Sequence, residues 1–354
     1  MPGKPVLAFV EVPEGWEEEY LKKKFAESAL SPLLQNCEVR FYKETVQELA
    51  GANSKTPLPV EISLLSVFIQ SRLDRPLLAA LPNLKFIATR STGFDHIDVR
   101  AARERGIAVS NVPVYGENTV AEHTFALILS LSRNLRKAYF RTVQNNFSLE
   151  GLMGFDLKGK TIGVAGTGHI GLHLIRMAAG FGMKVLAFDT REQKFLSEIL
   201  NFDYVTFEEL LGRSDIISLH VPYLPATRHL INQKTIRLIK PGAILINTAR
   251  GGLVETDALV KALDEKILSG AGLDVLEDEE YVLEEKRLLE GEVTNEHWQK
   301  LQTALKNHVL LHRENVIYTP HMAFYSAEAV RRILDTTLGN LASFLAGKPE
   351  NRVD

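Results

Sequence analysis

TIGVAGTGHIG, residues 161–171, decides the fold of this chain. Thr161–Ala165 is a short apolar run with the character of a buried strand, and Leu172–Phe181 has a helical pattern. Between them lies Gly166-Thr167-Gly168-His169-Ile170-Gly171. A bare G-x-G-x-x-G arises often by chance, but between a strand and a helix it has the context a dinucleotide-binding turn needs. Gly166 permits the tight turn, Gly168 lets the backbone approach a pyrophosphate, and Gly171 lets the helix pack on the strand. The helix N-terminus, with His169 and Ile170 in the turn, offers N–H groups and a partial positive charge to phosphates. The next strand, Lys184–Phe188, ends at Asp189, placed to accept from ribose hydroxyls and to repel a 2′-phosphate. This favours NAD over NADP, with Arg191 close enough to temper the choice.

Outward from this unit, short apolar runs alternate with amphipathic ones in two series. The first has strand candidates at Val6–Val10, Glu38–Phe41, Leu64–Ile69, Lys85–Thr89 and Ile107–Val109, with helical patterns at Glu17–Ser28, Leu77–Ala80 and Val99–Arg105. The second continues at Ile216–His220, Ala243–Asn247, Gly270–Asp274 and Val316–Tyr318. Parallel strands need crossover helices, so two such series predict two α/β domains with doubly wound parallel sheets. A helix over Asn118–Arg136, capped by Asn118, separates them; its apolar face fits either a linker between domains or a subunit interface. A last helix spans Ser326–Ala346, residues 51–60 read as a loop, and 277–314 is a charged interruption.

The chain of 354 residues, 45% hydrophobic and with a formal net charge of −3, has the composition of a globular protein and no basic stripe for nucleic acid. No apolar run is long enough for a membrane span, and Met1–Gly15 reads as a first strand rather than a signal peptide. One cysteine, Cys37, allows no internal disulfide and fits a reducing cytoplasm. No residue spacing suggests a metal site.

Ligands of open α/β sheets gather at the carboxyl ends of strands. Three segments there carry chemistry: NTARGG with Arg250, GLDVLEDEE with Asp274 and an acidic cluster, and YTPHMAFY with His321. With RSTGFDHID, NVPVYGENTVAEHTFALIL and LHVPYLPATRHLI, these segments resemble the signatures of D-isomer-specific 2-hydroxyacid dehydrogenases over about residues 60–345. TPHMAFYS resembles the D-lactate dehydrogenase branch.

The resemblance implies a flavodoxin-like substrate domain (1–112 and 321–354), a Rossmann NAD-binding domain (113–320), an active-site cleft between them, and a homodimer. It implies that Arg250 grips the carboxylate of a small 2-keto or 2-hydroxy acid, its planar guanidinium suiting bidentate binding. His321 becomes the acid/base and Glu279 its carboxylate partner, a neighbour that favours imidazolium. Thr92 and Gly93 present N–H groups to the substrate, with Tyr115 and Phe324 nearby. Val221, Pro222, Thr248, Ala249 and Asp274 lie along the cofactor. Gln70 departs from the tyrosine expected in that branch. His96 and His123 read as structural, and His220 as lining.

The same resemblance leaves other 2-keto acids open: glyoxylate or hydroxypyruvate, and phosphoglycerate, for which no extra basic cluster is evident. Formate and phosphite dehydrogenases are further relatives, and Glu279 argues against formate chemistry, which pairs the histidine with glutamine. A non-catalytic NAD-sensing corepressor is the reading from another functional class.

Overall fold

Strands buried on both faces read as continuous apolar runs rather than alternating ones, and this chain has many of them. VLAF, FIAT, IISL and AILIN are buried at every position. The computed structural model describes residues 4–27, 32–51, 57–279 and 295–354. Within them the chain divides into two compact units, residues 1–116 with 326–354, and residues 117–325.

The first unit holds β1 (Val6–Phe9), β2 (Glu38–Phe41), β3 (Ile62–Val67), β4 (Phe86–Thr89) and β5 (Ala108–Ser110), all parallel, in the order β2-β1-β3-β4-β5. That is the flavodoxin-like order. The last helix, Ala327–Leu345, is capped by Ser326 and stacks Phe344 on Phe86 of β4, ring centroids 4.4 Å apart. The C-terminal tail follows it onto β5, where Val109 N–H donates to the Asp354 carboxylate at 3.1 Å.

The second unit holds β6 (Thr161–Ala165), β7 (Lys184–Phe188), β8 (Asp203–Tyr204), β9 (Ile216–Leu219), β10 (Ala243–Asn247), β11 (Leu268–Leu273) and β12 (Val316–Tyr318). All are parallel, in the order β12-β11-β10-β9-β6-β7-β8. Counted from β6 this is the Rossmann order with one strand added. The two-residue β8 is too short to show a pattern in sequence.

Three differences from the sequence reading have local causes. The long helix expected over Asn118–Arg136 is two helices, Glu117–Ser132 and Leu135–Val143, broken where Asn134 turns left-handed at φ 50°. Asn118 lies inside the first, its amide donating to Glu122, so it is not the cap. The unit boundaries fall after Gly116 and Tyr325, not after 112 and 320. Residues 321–323 are held in the second unit by hydrogen bonds to Asp274, just past β11. The loop expected at 51–60 and the charged stretch 277–314 lie partly outside the described residues.

Leu245 sits in the middle of β10, fully buried between β9 and β11. Leu245→Ala is expected to destabilise the protein by about 2–5 kcal/mol. The check is a lower urea midpoint with an unchanged slope.

Candidate active site

β6 lies between β7 and β9, so successive crossovers leave it in opposite directions. Such a switch point opens a ligand crevice at the carboxyl edge of the sheet. The glycine turn sits there. Gly166 has φ 101°, and its N–H donates to Phe188 at 2.8 Å. A Cβ on Gly166 would stand 2.6 Å from the His220 carbonyl, and one on Gly171 would stand 2.0 Å from the Gly166 oxygen. Both positions therefore require glycine. A Cβ on Gly168 would meet nothing within 4 Å, and no side chain caps the helix His169–Gly180 that begins after it. Helix N–H groups facing open space form an anion cradle, which suits a pyrophosphate.

Asp189, just past β7, accepts from the Thr167 N–H (2.7 Å) and hydroxyl (3.0 Å) and from the Arg191 N–H (3.0 Å). Burial opposes its ionisation, but the backbone bonds from Arg191 and Thr167 and the Thr167 hydroxyl outweigh it and hold the carboxyl below its usual range. The Thr167 hydroxyl also meets Tyr204 at 2.9 Å, and Gln193 donates to the Thr167 carbonyl at 3.0 Å. The acid thus braces the glycine turn. Tyr204 and Gln193 escaped the sequence reading because β8, which positions Tyr204, carries no periodicity.

β10, β11 and β12 are neighbours, so the loops that follow them stand side by side at the same edge. After β10, the buried Asn247 accepts from Ala249 N–H at 3.1 Å and donates to the Arg250 carbonyl at 2.9 Å. It staples the turn that presents the half-buried Arg250, while the Thr248 hydroxyl bonds Thr124 at 2.9 Å. After β11, Asp274 is fully buried. Its carboxylate accepts from the Thr319 hydroxyl, from Met322 N–H (2.9 Å) and from Ala323 N–H (2.8 Å).

Those bonds hold the loop after β12 and, with it, His321. His321 sits at φ 51°, its N–H donating to the Asp274 carbonyl at 2.9 Å. Its Nδ1 stands 2.8 Å from Glu279 Oε1. Of the acidic cluster, Glu279 is thus beside His321. Glu277 is turned elsewhere, to His229, and Glu280 lies outside the described residues.

His123, assigned a structural role from sequence, reaches the same loop. Its Nε2 is 2.9 Å from the Thr319 hydroxyl and 3.5 Å from Asp274. Tyr318 is a further residue the sequence did not signal. Its buried hydroxyl has no hydrogen-bond partner among the described residues, and burial, with Glu279 and Asp274 adding, pushes its phenol well above the usual range. Phe324 is half-buried and meets Tyr325 edge-to-face at 5.7 Å. Val221 packs on the core and Pro222 is exposed, its carbonyl accepting from Thr227 at 2.6 Å.

In the first unit, Thr92 is exposed, its hydroxyl donating to the Val112 carbonyl at 2.7 Å. The Gly93 carbonyl accepts from the Ser91 hydroxyl at 2.6 Å, and the half-buried Tyr115 gives its carbonyl to Arg332. Gln70 N–H is held by Glu11 at 2.8 Å, and His96 meets Thr89 at 3.2 Å. Among the described residues no group of three His, Cys, Asp or Glu is placed to hold a metal, and no helix is long and apolar enough to cross a membrane.

Residues 125–323 match the family model described as "D-isomer specific 2-hydroxyacid dehydrogenase, NAD binding domain". The chain is 38% identical over 284 residues to a D-lactate dehydrogenase of Escherichia coli, covering 80% of this chain and 83% of the relative. It is 37% identical over 302 residues to a glyoxylate reductase of Thermococcus litoralis, covering 83% and 84%. Among solved structures it resembles a D-lactate dehydrogenase from Aquifex aeolicus in complex with NAD and lactic acid. The TM-score there is 0.81 at 38% identity, covering 98% of both chains.

The His220 ring, 2.8 Å from the Ser218 hydroxyl, is pushed by burial from 6.5 down to about 4. The unfolded chain therefore takes up a proton before the folded one does. Stability from this group is whole above about pH 6.5 and is lost as pH falls toward 4. His220→Gln is expected to flatten that part of the profile, read as urea midpoints between pH 7 and 4.

Proposed function

Because this chain belongs to the D-isomer-specific 2-hydroxyacid dehydrogenase family, we propose that it is an NAD-dependent D-lactate dehydrogenase interconverting pyruvate and D-lactate. The observation that carries the reading is the His321–Glu279 pair at 2.8 Å, standing on the strand edge that also presents Arg250. The E. coli and A. aeolicus relatives named as D-lactate dehydrogenases favour pyruvate among the keto acids. The T. litoralis glyoxylate reductase makes glyoxylate the second candidate.

NAD, when bound, supplies or accepts the hydride. The cradle of Gly166, Gly168, His169, Ile170 and Gly171 fits its pyrophosphate, since Gly168 faces open space beside uncapped helix N–H groups. Asp189, held in its charged form, has acceptor capacity left for ribose hydroxyls and disfavours a 2′-phosphate. Val221, Pro222, Thr248, Ala249 and Asp274 lie along the cofactor in this reading, with Thr92, Gly93, Tyr115 and Phe324 at the substrate. Arg250 grips the substrate carboxylate with its planar fork. Glu279 accepts from His321 Nδ1, which fixes the ring so that Nε2 hands its proton to the keto oxygen as hydride arrives. In the reverse direction Nε2 takes the proton back.

A homodimer is part of the reading. The helix Leu135–Val143 buries none of its residues, and Tyr139, Phe140, Phe147, Leu149 and Met153 are all exposed, Met153 by 93%. So much apolar surface on one segment fits a second copy of the chain. A cytoplasmic setting is also part of it, supported by the single buried thiol, Cys37.

In a panel of 2-keto acids with NADH and NADPH followed at 340 nm, the highest kcat/KM is expected for pyruvate with NADH. A glyoxylate optimum replaces lactate with the second candidate, and silence on every acid favours a sensor. His321→Ala is expected to lower turnover by about two to four orders of magnitude while NADH binding persists. Near-normal turnover removes His321 from the mechanism. Light scattering on eluting protein is expected to give twice the 39.5 kDa chain mass, shifting toward the monomer in Tyr139→Glu/Leu149→Asp.

A further inference from the structure

A second histidine–glutamate pair, joining the loop after β9 to the loop after β11, bonds none of the side chains that the mechanism uses. His229 Nε2 lies 2.5 Å from Glu277 Oε1. The other carboxylate oxygen of Glu277 accepts from the Thr256 N–H at 3.1 Å and from its hydroxyl at 2.9 Å. One carboxylate therefore ties the loop after β9 to the start of the helix Thr256–Asp264, just beyond the Arg250 turn. His229 is held in a left-handed conformation, φ 50°, and its N–H donates to the Gly252 carbonyl at 2.8 Å. Both side chains are partly shielded from solvent, 28% and 18% exposed.

Two neighbours make this corner rigid. A Cβ on Gly251 would stand 1.9 Å from the Leu276 carbonyl oxygen and 2.5 Å from the Glu277 nitrogen. The Arg250 turn and the Glu277 corner thus meet backbone against backbone. From the other side Asn307, fully buried on the helix Asn295–Leu311, donates to the Glu277 carbonyl at 2.8 Å. That helix belongs to the charged interruption of the second series, so the interruption buttresses the corner. Two residues further on, the Glu279 carboxylate accepts from Leu276 N–H at 3.2 Å as well as facing His321.

We propose that the His229–Glu277 pair, buttressed by Asn307, is a positioning device for the reaction, fixing both the Arg250 turn and Glu279 against His321. This rests on the dehydrogenase reading for its kinetic consequence. A displacement of about 1 Å in a substrate-positioning group costs about 100-fold in rate, and this pair holds two such groups at once.

The test is Glu277→Ala in the full chain, with Glu277→Gln as the conservative variant. Glu277→Ala is expected to lower kcat/KM for pyruvate by about 10- to 100-fold. KM rises through Arg250 and kcat falls through Glu279, while NADH affinity stays within about threefold. Gln keeps acceptors for Thr256 and a hydrogen bond to His229, and is expected to recover most of the loss. Amide exchange is expected to quicken in peptides covering 250–256 and 275–279 and to stay unchanged over 161–171. His229→Ala carries the same comparisons if Glu277→Ala does not fold. Unchanged kcat/KM, unchanged exchange in those peptides, or equal loss of NADH binding overturns the proposal. A wild-type chain inactive on every keto acid sinks the dehydrogenase reading alone, because the exchange comparison still decides whether the clamp exists.

Discussion

The buried carboxylate of Asp274 is the joint on which the loop carrying His321 depends. A buried acid must be fully satisfied or it costs several kcal/mol, and this one is satisfied by the loop it serves. Thr319, Met322 and Ala323 donate to it, and its own backbone carbonyl receives the His321 N–H. Between those anchors His321 is held left-handed, a conformation that costs a non-glycine residue about 1–3 kcal/mol and persists only where its surroundings over-determine it. In that conformation its Nδ1 meets Glu279 at 2.8 Å. His123 reaches the same joint from the helix Glu117–Ser132, so the loop is held both from that helix and from the segment after β11.

The parallel sheet supplies the other half of the arrangement. Every strand of the second unit points the same way, so residues far apart in sequence leave β10, β11 and β12 at one edge. Glycines let these exits approach more closely than side chains would allow. Gly166 passes against His220, Gly171 against Gly166, and Gly251 against Leu276, all at distances a Cβ could not share. The glycine turn and the His321–Glu279 pair are therefore placed by the same parallel topology, one at the β6 switch point and the other at the β11–β12 edge.

Much of this was legible in the sequence. The strand Thr161–Ala165 and the glycine turn stand as read, as do β7, β10 and β12 to the residue, while the helix read as Leu172–Phe181 runs from His169 to Gly180. Local pattern fails where tertiary contact decides. β8 has two residues, so Tyr204 had no periodicity to announce its place beside Thr167. The helix break at Asn134 was invisible because asparagine in a polar stretch reads equally well as helix or loop. Asn118 looked like a cap, but the helix begins a residue earlier.

The sequence by itself determined the alternation of elements, the glycine turn, and the presence of Arg250, an acidic cluster and His321 after strands. These are local properties, set by periodicity and by which residues tolerate a given backbone. The resemblance pointed to Glu279, but only the tertiary structure shows where each carboxylate of the acidic cluster lies. Glu277, Asp278, Glu279 and Glu280 are alike in a string of letters, yet Glu279 meets His321 while Glu277 meets His229 and Thr256. The distinction arises from loops that parallel strands bring together although the paired residues are 21 to 48 positions apart in the chain, and spacing along the chain does not record which side chains come to share a few ångströms of space.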